Sequence, residues 1–494
     1  MEKAYILAID QSTQGTKAIL LDENGAFVLR RDLPHKQLIS KDGWVGHDAE
    51  EIARNILAVS RLAIEDAGIP KEAVKAVAVT NQRESVAVWD KASGKPVCES
   101  IVWQCNRAAA LCERLMTPER IKELRTRTGL QPSPFFSAPK VAWILENVPG
   151  VRERAERGEL LLGTMDCWTI WTLTGGREHK TDVSNANRTQ LFNIYTKDWD
   201  PVLCDMFGIP MSMLPKIEES DGFFGETDLG GFLPAKIPIH SAVGDSNAVP
   251  VAHGCIHPGD AMCGYGTGSC VIVNIGEKPF LSESGMNTTA IYSSGGKTLF
   301  GLEGVINYSG AVVTWLKDNA HLISSAAESG KLAEEADPAD HTYMVPAFTG
   351  IGAPHWRSNA TAAYVGMTRL TGQKELVRAA LESVAYQVSD LVLPAGEELG
   401  IRAPRLFVAG GPSKNRFLMQ FQSDILGIPV AVAEHEEMSG IGSAYLCGLA
   451  LGLYDEAMLE KQRKAYSYEP VMSEEERRER LDGWKHALET ILPY

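Results

Sequence analysis

A strand–turn–strand pattern at the start of the chain most constrains its fold, because a related pattern opens the second half. Apolar residues run through 5–9, Asp10 ends this run, and a polar turn at 11–15 leads into a second apolar run. In the second half, a glycine-rich turn at 264–268 precedes the strand-like residues 271–274. Apolar runs bounded by Gly, Ser and Thr are typical of strands joined by tight turns. The pattern therefore predicts a hairpin near the start of each half.

Strand and helix units follow each predicted hairpin. In the first half, a helix capped by Asp48 precedes an alternating strand at 74–80. In the second half, a strand at 406–409 precedes a helix with one apolar face at 417–425. Alternation of strands and helices is typical of α/β domains with largely parallel sheets. The repeated order predicts two related α/β domains with a cleft between them.

The length of the chain also requires more than one domain. With 494 residues it exceeds the size at which a single hydrophobic core keeps growing. We place the boundary in the region around Pro250, so that residues 1–252 form an N-terminal domain and residues 253–494 a C-terminal domain. The charged tail from Ser473 is predicted to be a solvated helix that packs through Leu481, Trp484 and Leu488.

The composition argues against nucleic acid and membrane as partners. The formal net charge is −15, and such a surface repels phosphate backbones. No uninterrupted apolar run approaches membrane-spanning length, and no basic region precedes an apolar one at the N-terminus. The nine cysteines form no C-x-x-C pair, which is typical of reduced thiols. These features predict a cytoplasmic protein.

The first hairpin could bind the phosphates of a nucleotide. Small side chains at Ser12, Thr13 and Gly15 would let backbone N–H groups and hydroxyls approach phosphate oxygens. Asp10 stands where a carboxylate could hold a hydrated Mg²⁺. A plain hairpin with a polar turn explains this segment equally well.

A second carboxylate, Asp245, is the candidate general base. It lies between Gly244 and Ser246, and a carboxylate beside an acceptor hydroxyl assists phosphoryl transfer by removing its proton. An Asp that only caps the following helix is the alternative.

Arg83 and Glu84 follow the strand at 74–80 and form a donor and acceptor pair suited to vicinal hydroxyls. A surface ion pair is the simpler interpretation. Trp103 and Gln104 would add an apolar wall and a polar contact, although a buried core Trp is equally ordinary.

With these residues in place, the chain resembles the carbohydrate kinases of the FGGY family, and within it the glycerol kinase branch. The resemblance covers nearly the whole sequence and is carried by residues 135–147, 185–193, 345–350, 362–382 and 417–424. It implies an actin-like ATPase fold of two duplicated, ribonuclease H-like α/β domains, with ATP and Mg²⁺ in the central cleft. The N-terminal domain would hold the acceptor and a phosphate loop, and the C-terminal domain the nucleotide.

The resemblance also implies roles for individual residues. Asp245 matches the catalytic base, and Asp10 orders the Mg²⁺ through water. The acceptor contacts are Arg83, Glu84, Trp103, Gln104, Phe135, Asp245, Ser246 and Cys270. The nucleotide contacts are Gln11, Ser12, Thr13, Gln14, Lys17, Gly266, Thr267, Gly310, Val313, Gly411 and Asn415.

Three acceptor positions depart from the glycerol kinase pattern. Phe135 replaces a Tyr, Ser246 a Gln and Cys270 a Phe, which removes a hydroxyl and two bulky groups. A pocket changed in this way discriminates differently between acceptors. The predicted function is transfer of the ATP γ-phosphoryl group to a primary hydroxyl of a small polyol or sugar. Glycerol is the nearest single acceptor, and a longer polyol or ketopentose such as erythritol, xylulose or ribulose is the alternative.

A non-catalytic, actin-like nucleotide-binding protein is the hypothesis from another class. Such a protein would have no reason to combine Arg83, Glu84, Trp103 and Asp245. The expected partners are thus a small-molecule acceptor and further copies of the chain in a homo-dimer or tetramer.

Overall fold

A computed structural model describes residues 3–357 and 359–492. Its secondary structure alternates short strands with helices throughout. The first half contains β1 (Tyr5–Gln11), β2 (Gly15–Leu21), β3 (Phe27–Pro34), β4 (Gln37–Ile39), β5 (Val45–His47), α1 (Ala49–Asp66), β6 (Val74–Asn81), β7 (Val86–Asp90), β8 (Ser100–Ile101), α2 (Ala109–Leu115), α3 (Pro118–Thr128), α4 (Ser137–Asn147), α5 (Val151–Glu156), β9 (Leu160–Thr164), α6 (Met165–Leu173), β10 (Lys180–Asp182), α7 (Val183–Asn187), β11 (Phe192–Asn193), β12 (Asp198–Trp199), α8 (Pro201–Phe207), β13 (Lys216–Glu218), β14 (Phe223–Thr227), β15 (Ile237–Gly244) and α9 (Asp245–His253).

The second half continues the alternation and ends on a long helix. It contains β16 (Ala261–Tyr265), β17 (Ser269–Gly276), β18 (Asn287–Ser294), β19 (Lys297–Ile306), α10 (Gly310–Asp318), α11 (Ala326–Glu334), β20 (Tyr343–Val345), β21 (Ala363–Val365), α12 (Gln373–Leu399), β22 (Leu406–Ala409), α13 (Arg416–Leu426), β23 (Val430–Ala433), α14 (Met438–Ala450), α15 (Glu456–Gln462), β24 (Ala465–Tyr468) and α16 (Glu474–Ile491). Among the described residues, no helix is both long and apolar enough to cross a bilayer.

Two main sheets repeat one strand arrangement. The first has the order β14-β15-β6-β1-β2-β3, in which β1 is antiparallel to β2 and parallel to β6. The second has the order β18-β19-β17-β16-β22-β23-β24, in which β16 is antiparallel to β17 and parallel to β22. In each sheet the hairpin turn therefore lies beside the end of a parallel strand. This repetition agrees with the predicted pair of related α/β domains.

Local sequence signals account for the helices that flank these sheets. Helix α1 begins after Asp48, whose carboxylate accepts a hydrogen bond from the Glu50 backbone N–H at 2.8 Å, and buries its apolar face. Helix α13 begins after Asn415 in the same way and ends at Gly427 in the left-handed region, at φ 63°. The tail forms α16, which buries Trp484 and Leu488 as predicted.

Two helices pack between the main sheets. One hydrophobic cluster contains Ile6 from the first sheet, Ile272 from the second, Val251 from α9 and Ile441 from α14. The helices cross closely at Gly442, where a Cβ would lie 2.0 Å from the Ala248 carbonyl oxygen. The predicted boundary at residue 252 lies in the last turn of α9 and stays a prediction.

Candidate active site

The first hairpin presents Asp10 beside a lysine. Asp10 and Lys17 are directly opposite in the β1–β2 register, and Lys17 Nζ lies 3.5 Å from Asp10 Oδ2. Burial raises the pKa of Asp10, and Lys17 only partly opposes this effect. The other carboxylate oxygen, Oδ1, is buried and has no hydrogen-bond partner within the described residues. An unsatisfied buried carboxylate oxygen fits a water-mediated contact to Mg²⁺, as the sequence predicts.

Lys17 also reaches across to the second half of the chain. Its ammonium group lies 3.0 Å from Glu437 Oε2, at the residue that precedes α14. Glu437 in addition pairs with Arg30 of β3. The predicted phosphate contact Lys17 is therefore held between two carboxylates, one from each half of the chain.

Some side chains of the turn between β1 and β2 lie in the protein interior, and others lie at the site. Ser12 Oγ donates to the Gly15 carbonyl at 2.9 Å, which closes the turn. Thr13 Oγ1 accepts a hydrogen bond from Trp103 Nε1 at 2.9 Å, so a predicted nucleotide contact touches a predicted acceptor contact. Gln11 is fully buried and accepts from Gln82 Nε2 at 3.1 Å, while Gln14 is exposed. Gln11 thus supports the turn from behind.

The second hairpin forms a glycine-lined wall. The Gly310 backbone N–H donates to the Gly266 carbonyl, and the Ala311 N–H to the Thr267 carbonyl, each at 3.0 Å. Gly410 has φ 104°, and a Cβ there would lie 2.0 Å from the Tyr265 carbonyl oxygen. Only glycine fits this approach of β22 to the hairpin.

Two helix starts extend the glycine-lined wall. Gly310 begins α10, with Val313 one turn further along, and Gly411 opens the short 3₁₀ turn that leads to Asn415. Asn415 caps α13 and donates from Nδ2 to Ser329 Oγ at 3.2 Å. Gly310 and Asn415 therefore stand at the starts of α10 and α13, and helix N-termini favour anions.

Asp245 is the first residue of α9 and retains about a third of its side chain exposed. Arg83 Nε lies 3.5 Å from its Oδ1, and the Ser246 backbone N–H donates to the same oxygen at 2.6 Å. Burial raises the pKa of Asp245 to about 6; Arg83 opposes this rise, and the negative charge of Asp10 adds to it. The two predicted catalytic carboxylates therefore lie within electrostatic range of each other, in one site.

Arg83 and Glu84 are buried, so the surface ion pair interpretation is wrong. Arg83 donates to Glu303 Oε2 at 2.8 Å and to Oε1 at 3.3 Å, and Arg188 pairs with both Glu84 and Glu303. Glu84 has φ 62°, a conformation that a residue with a side chain rarely adopts and that occurs at functional sites. The arginine and glutamate that complete this group, Arg188 and Glu303, are missing from the predicted site.

Four of the remaining acceptor candidates, Trp103, Phe135, Ser246 and Cys270, lie beside this group. The rings of Trp103 and Phe135 meet edge to face, with centroids 5.8 Å apart. Cys270 Sγ lies 3.7 Å from Arg83 Nη2, and Ser246 bonds only its neighbour Asp245 among the described side chains. Gln104 is exposed, beside Trp103. These positions place small side chains at Ser246 and Cys270 next to the Asp245–Arg83 pair.

A buried lysine shapes the loop that carries Phe135. The Lys140 ammonium group donates to the Pro134 carbonyl at 3.0 Å, to the Phe136 carbonyl at 2.8 Å and to the Phe135 carbonyl. Lys140 is completely buried. Three carbonyls directed at one ammonium group fix the path of residues 134–136, which faces Trp103.

These contacts connect the first hairpin, Asp10, Asp245 and a set of cations, and Cys270 of β17 joins the strand after the second hairpin turn to Arg83. Lys17 and the helix N-termini can bind a polyphosphate, while Asp245 can accept a proton from a bound alcohol. The arrangement therefore has the parts needed for phosphoryl transfer to a hydroxyl, and each domain contributes some of them.

Comparison with known proteins agrees with this chemistry. The model of the FGGY carbohydrate kinase N-terminal domain matches residues 5–251, and the C-terminal domain model matches residues 261–451. Glycerol kinase 1 of Thermotoga maritima is 45% identical over 99% of both chains, and a glycerol kinase of Geobacillus sp. is 42% identical over the same share.

Solved structures show the same relationship. The crystal structure of Plasmodium falciparum glycerol kinase with ADP superposes with a TM-score of 0.93 at 33% identity, covering 99% of each chain. A xylulose kinase from Lactobacillus acidophilus superposes with a TM-score of 0.88 at 20% identity over 99% of this chain and 98% of that one, which shows the shared fold. The predicted actin-like α/β fold is thus confirmed. The chain belongs to the FGGY family of carbohydrate kinases.

Proposed function

We propose that this kinase transfers the γ-phosphoryl group of ATP to a primary hydroxyl of glycerol or a closely related polyol. The observation that carries the proposal is the Asp245 carboxylate: it is partly exposed, lies 3.5 Å from Arg83, and has a pKa raised to about 6. A carboxylate with this pKa is ionised at neutral pH and is a stronger base than an ordinary Asp. It is therefore suited to take the proton from an acceptor hydroxyl.

In this proposal the acceptor binds between the charged group and the aromatic wall. Arg83 and Glu84 offer a donor and an acceptor to neighbouring hydroxyls, and Trp103 and Phe135 cover the carbon chain. The 41–45% identity to glycerol kinases supports glycerol as the first candidate. The small side chains of Ser246 and Cys270 leave space that favours a four- or five-carbon acceptor as the second candidate.

ATP would bind with its phosphates between the two hairpin turns. Lys17 provides positive charge for the phosphate oxygens, and α10 and α13 begin at the glycine-lined wall, where helix N-termini favour anions. Thr13 stands in the first turn, and its hydroxyl bonds Trp103 and Gln82. Asn415 at the start of α13 would lie on the nucleoside side, as the family resemblance implies. These residues position the triphosphate, and positioning supplies most of the rate in phosphoryl transfer.

Asp10 is the residue that would hold Mg²⁺ through water. Its buried, unpartnered Oδ1 fits this role, and the family is consistent with it. The ion supplies neutralisation of the charge on the transferring phosphoryl group. We place the enzyme in the cytoplasm, since all nine cysteines lie in the described residues and carry free thiols. The predicted homo-oligomer stays a prediction.

The test is release of ADP by the full chain with each of glycerol, erythritol, xylulose and ribulose, compared by kcat/KM. We expect the highest kcat/KM for glycerol, with erythritol next. Asp245→Asn should lose turnover by at least ~10²-fold while ATP still binds, because only the base is removed. Full turnover by Asp245→Asn would refute the assignment of the base. ATP hydrolysis that does not depend on an acceptor would instead favour an actin-like nucleotide-binding protein without a small-molecule acceptor.

A further inference from the structure

Four charged side chains form a buried group behind Asp245. Glu303 of β19 lies between two arginines of the first half, with Arg83 Nη1 at 2.8 Å and Arg188 Nη2 at 3.0 Å. The Arg188 Nε donates to Glu84, whose carboxylate also lies 3.9 Å from Arg83 Nε. All four side chains are at most 5% exposed. The group thus contains two cations and two anions and is neutral.

Glu303 is the member of this group that comes from the other domain. Arg83, Glu84 and Arg188 lie within the matched N-terminal domain, and Glu303 lies within the matched C-terminal domain. Burial raises the pKa of Glu303, but the two guanidinium groups lower it further, so that its pKa falls below the usual value. Glu303 therefore stays ionised and attracts both arginines throughout the neutral pH range.

Glu303 is a main determinant of how Arg83 is oriented. It accepts hydrogen bonds from both terminal nitrogens of Arg83, while Asn247 Oδ1 accepts one more from Nη1 at 3.0 Å, and Arg83 Nε then lies 3.5 Å from Asp245 Oδ1. The stem of Arg83 packs over Gly244, where a Cβ would lie 2.7 Å from the arginine Cγ and Cδ. A bidentate pair fixes the plane of a guanidinium group as well as its position.

Arg188, which Glu303 also holds, fixes the side chain of Glu84. Its guanidinium carbon lies 4.9 Å from the centre of the Phe136 ring, and its Nε bonds Glu84. The Glu84 backbone is held in its strained conformation partly by Ser137, whose hydroxyl donates to the Glu84 carbonyl at 3.1 Å. Glu84 is thereby fixed on both its side chain and its backbone.

We propose that Glu303 is a positioning residue for the phosphoryl acceptor, which acts from the C-terminal domain through Arg83 and Arg188. The acceptor-binding groups of the N-terminal domain are then correctly oriented only while β19 packs against them. This inference rests on the proposed function, because it assumes that Arg83 and Glu84 contact the acceptor. A group that served stability alone would affect folding without a selective effect on acceptor binding.

The test compares Glu303→Gln with Glu382→Gln in the full chain. Glu382 is a matched control, since it is also a buried carboxylate between two arginines, with Arg378 at 2.6 Å and Arg480 at 3.6 Å, but it lies on α12. The acceptor is the one that the unmodified enzyme phosphorylates with the highest kcat/KM. We expect Glu303→Gln to raise the KM for the acceptor at least tenfold and to change the KM for ATP less than twofold. Glu382→Gln should leave both values unchanged.

The variant Glu303→Asp retains the charge but shortens the side chain, and it should recover part of the lost acceptor affinity. It also serves as the test variant if Glu303→Gln does not fold, with an expected increase of several-fold in the acceptor KM. An unchanged acceptor KM in Glu303→Asp and in folded Glu303→Gln would overturn the proposal. An increase of the same size in the KM for the acceptor and in the KM for ATP would overturn it as well.

Two further variants separate this inference from the proposed function. If Arg83→Lys and Glu84→Gln raise the acceptor KM while the Glu303 variants do not, the acceptor site stands and the role of Glu303 is wrong. If Arg83→Lys and Glu84→Gln leave the acceptor KM unchanged, the acceptor site is wrong and the inference falls with it.

Discussion

The titration of Asp245 gives the sharpest test of the proposed chemistry. A base works only when ionised, and a pKa of about 6 means that about nine-tenths of Asp245 is ionised at pH 7 and about one-tenth at pH 5. The value of kcat/KM for the acceptor should therefore fall about tenfold from pH 7 to pH 5. An Asp with an ordinary pKa near 3.9 would stay ionised down to pH 5, and the rate would hardly change.

The assay is direct chromatographic measurement of ADP at saturating ATP and Mg²⁺, with the acceptor varied at each pH. The dissociation constant of ATP, measured by calorimetry over the same pH range, separates protonation of the nucleotide from that of Asp245. Because Arg83 lowers the pKa of Asp245, Arg83→Gln should move the midpoint of the profile above pH 6. A profile that is flat to pH 5 in the unmodified enzyme would refute the argument that Asp245 is a base with a raised pKa.

Three other predictions follow from contacts around the site. Glu437→Gln should lower the Kd for ATP by a few-fold in calorimetry, because Lys17 then loses the carboxylate at 3.0 Å that competes with phosphate; a higher Kd would contradict this. Lys140→Met should lower the free energy of unfolding, measured by denaturant titration, by about 2 kcal/mol. Three loop carbonyls lose their donor, and this loss outweighs the relief of removing a buried ammonium group. An unchanged free energy of unfolding would contradict this prediction. Gly442→Ala should lower the melting temperature, because its Cβ would meet the Ala248 carbonyl at 2.0 Å. The control Gly264→Ala should have a much smaller effect, because a Cβ there meets no atom within 4 Å and the backbone is outside the left-handed region.

The parts of the fold that were predictable depend on short-range patterns. The strand at 74–80, the Asp48 cap and the strand at 406–409 are all present, because alternation and capping act within a few residues. The two hairpin turns were identifiable for the same reason. Their repetition then predicted two related domains, which the matched strand orders of the two sheets bear out.

The buried charges could not be predicted in the same way. Arg83 and Glu84 were identified, but their partners Glu303 and Arg188 are 220 and 104 residues away, respectively, in sequence. Nothing local distinguishes Glu303 except that a carboxylate interrupts the apolar and glycine-rich part of its strand, residues 299–306. Such a residue indicates a buried ion pair only once the opposite strand is known. The partners of a buried charge from distant parts of the chain are therefore known only once the two domains have been assembled.

Two pairs of oppositely charged side chains join the domains, and they differ in how deeply they are buried. Glu437 pairs with Lys17 and retains 10% of its side chain exposed, while Glu303 pairs with Arg83 and has none exposed. When a phosphate displaces Glu437 from Lys17, Glu437 still pairs with Arg30, so neither charge is left without a partner. Displacing Glu303 would leave a buried charge unpaired, which is far more costly. The Lys17–Glu437 pair is therefore suited to separate when ATP binds, so that Lys17 can contact a phosphate. The Arg83–Glu303 pair is suited to stay intact and to keep the surroundings of Asp245 constant during ATP binding.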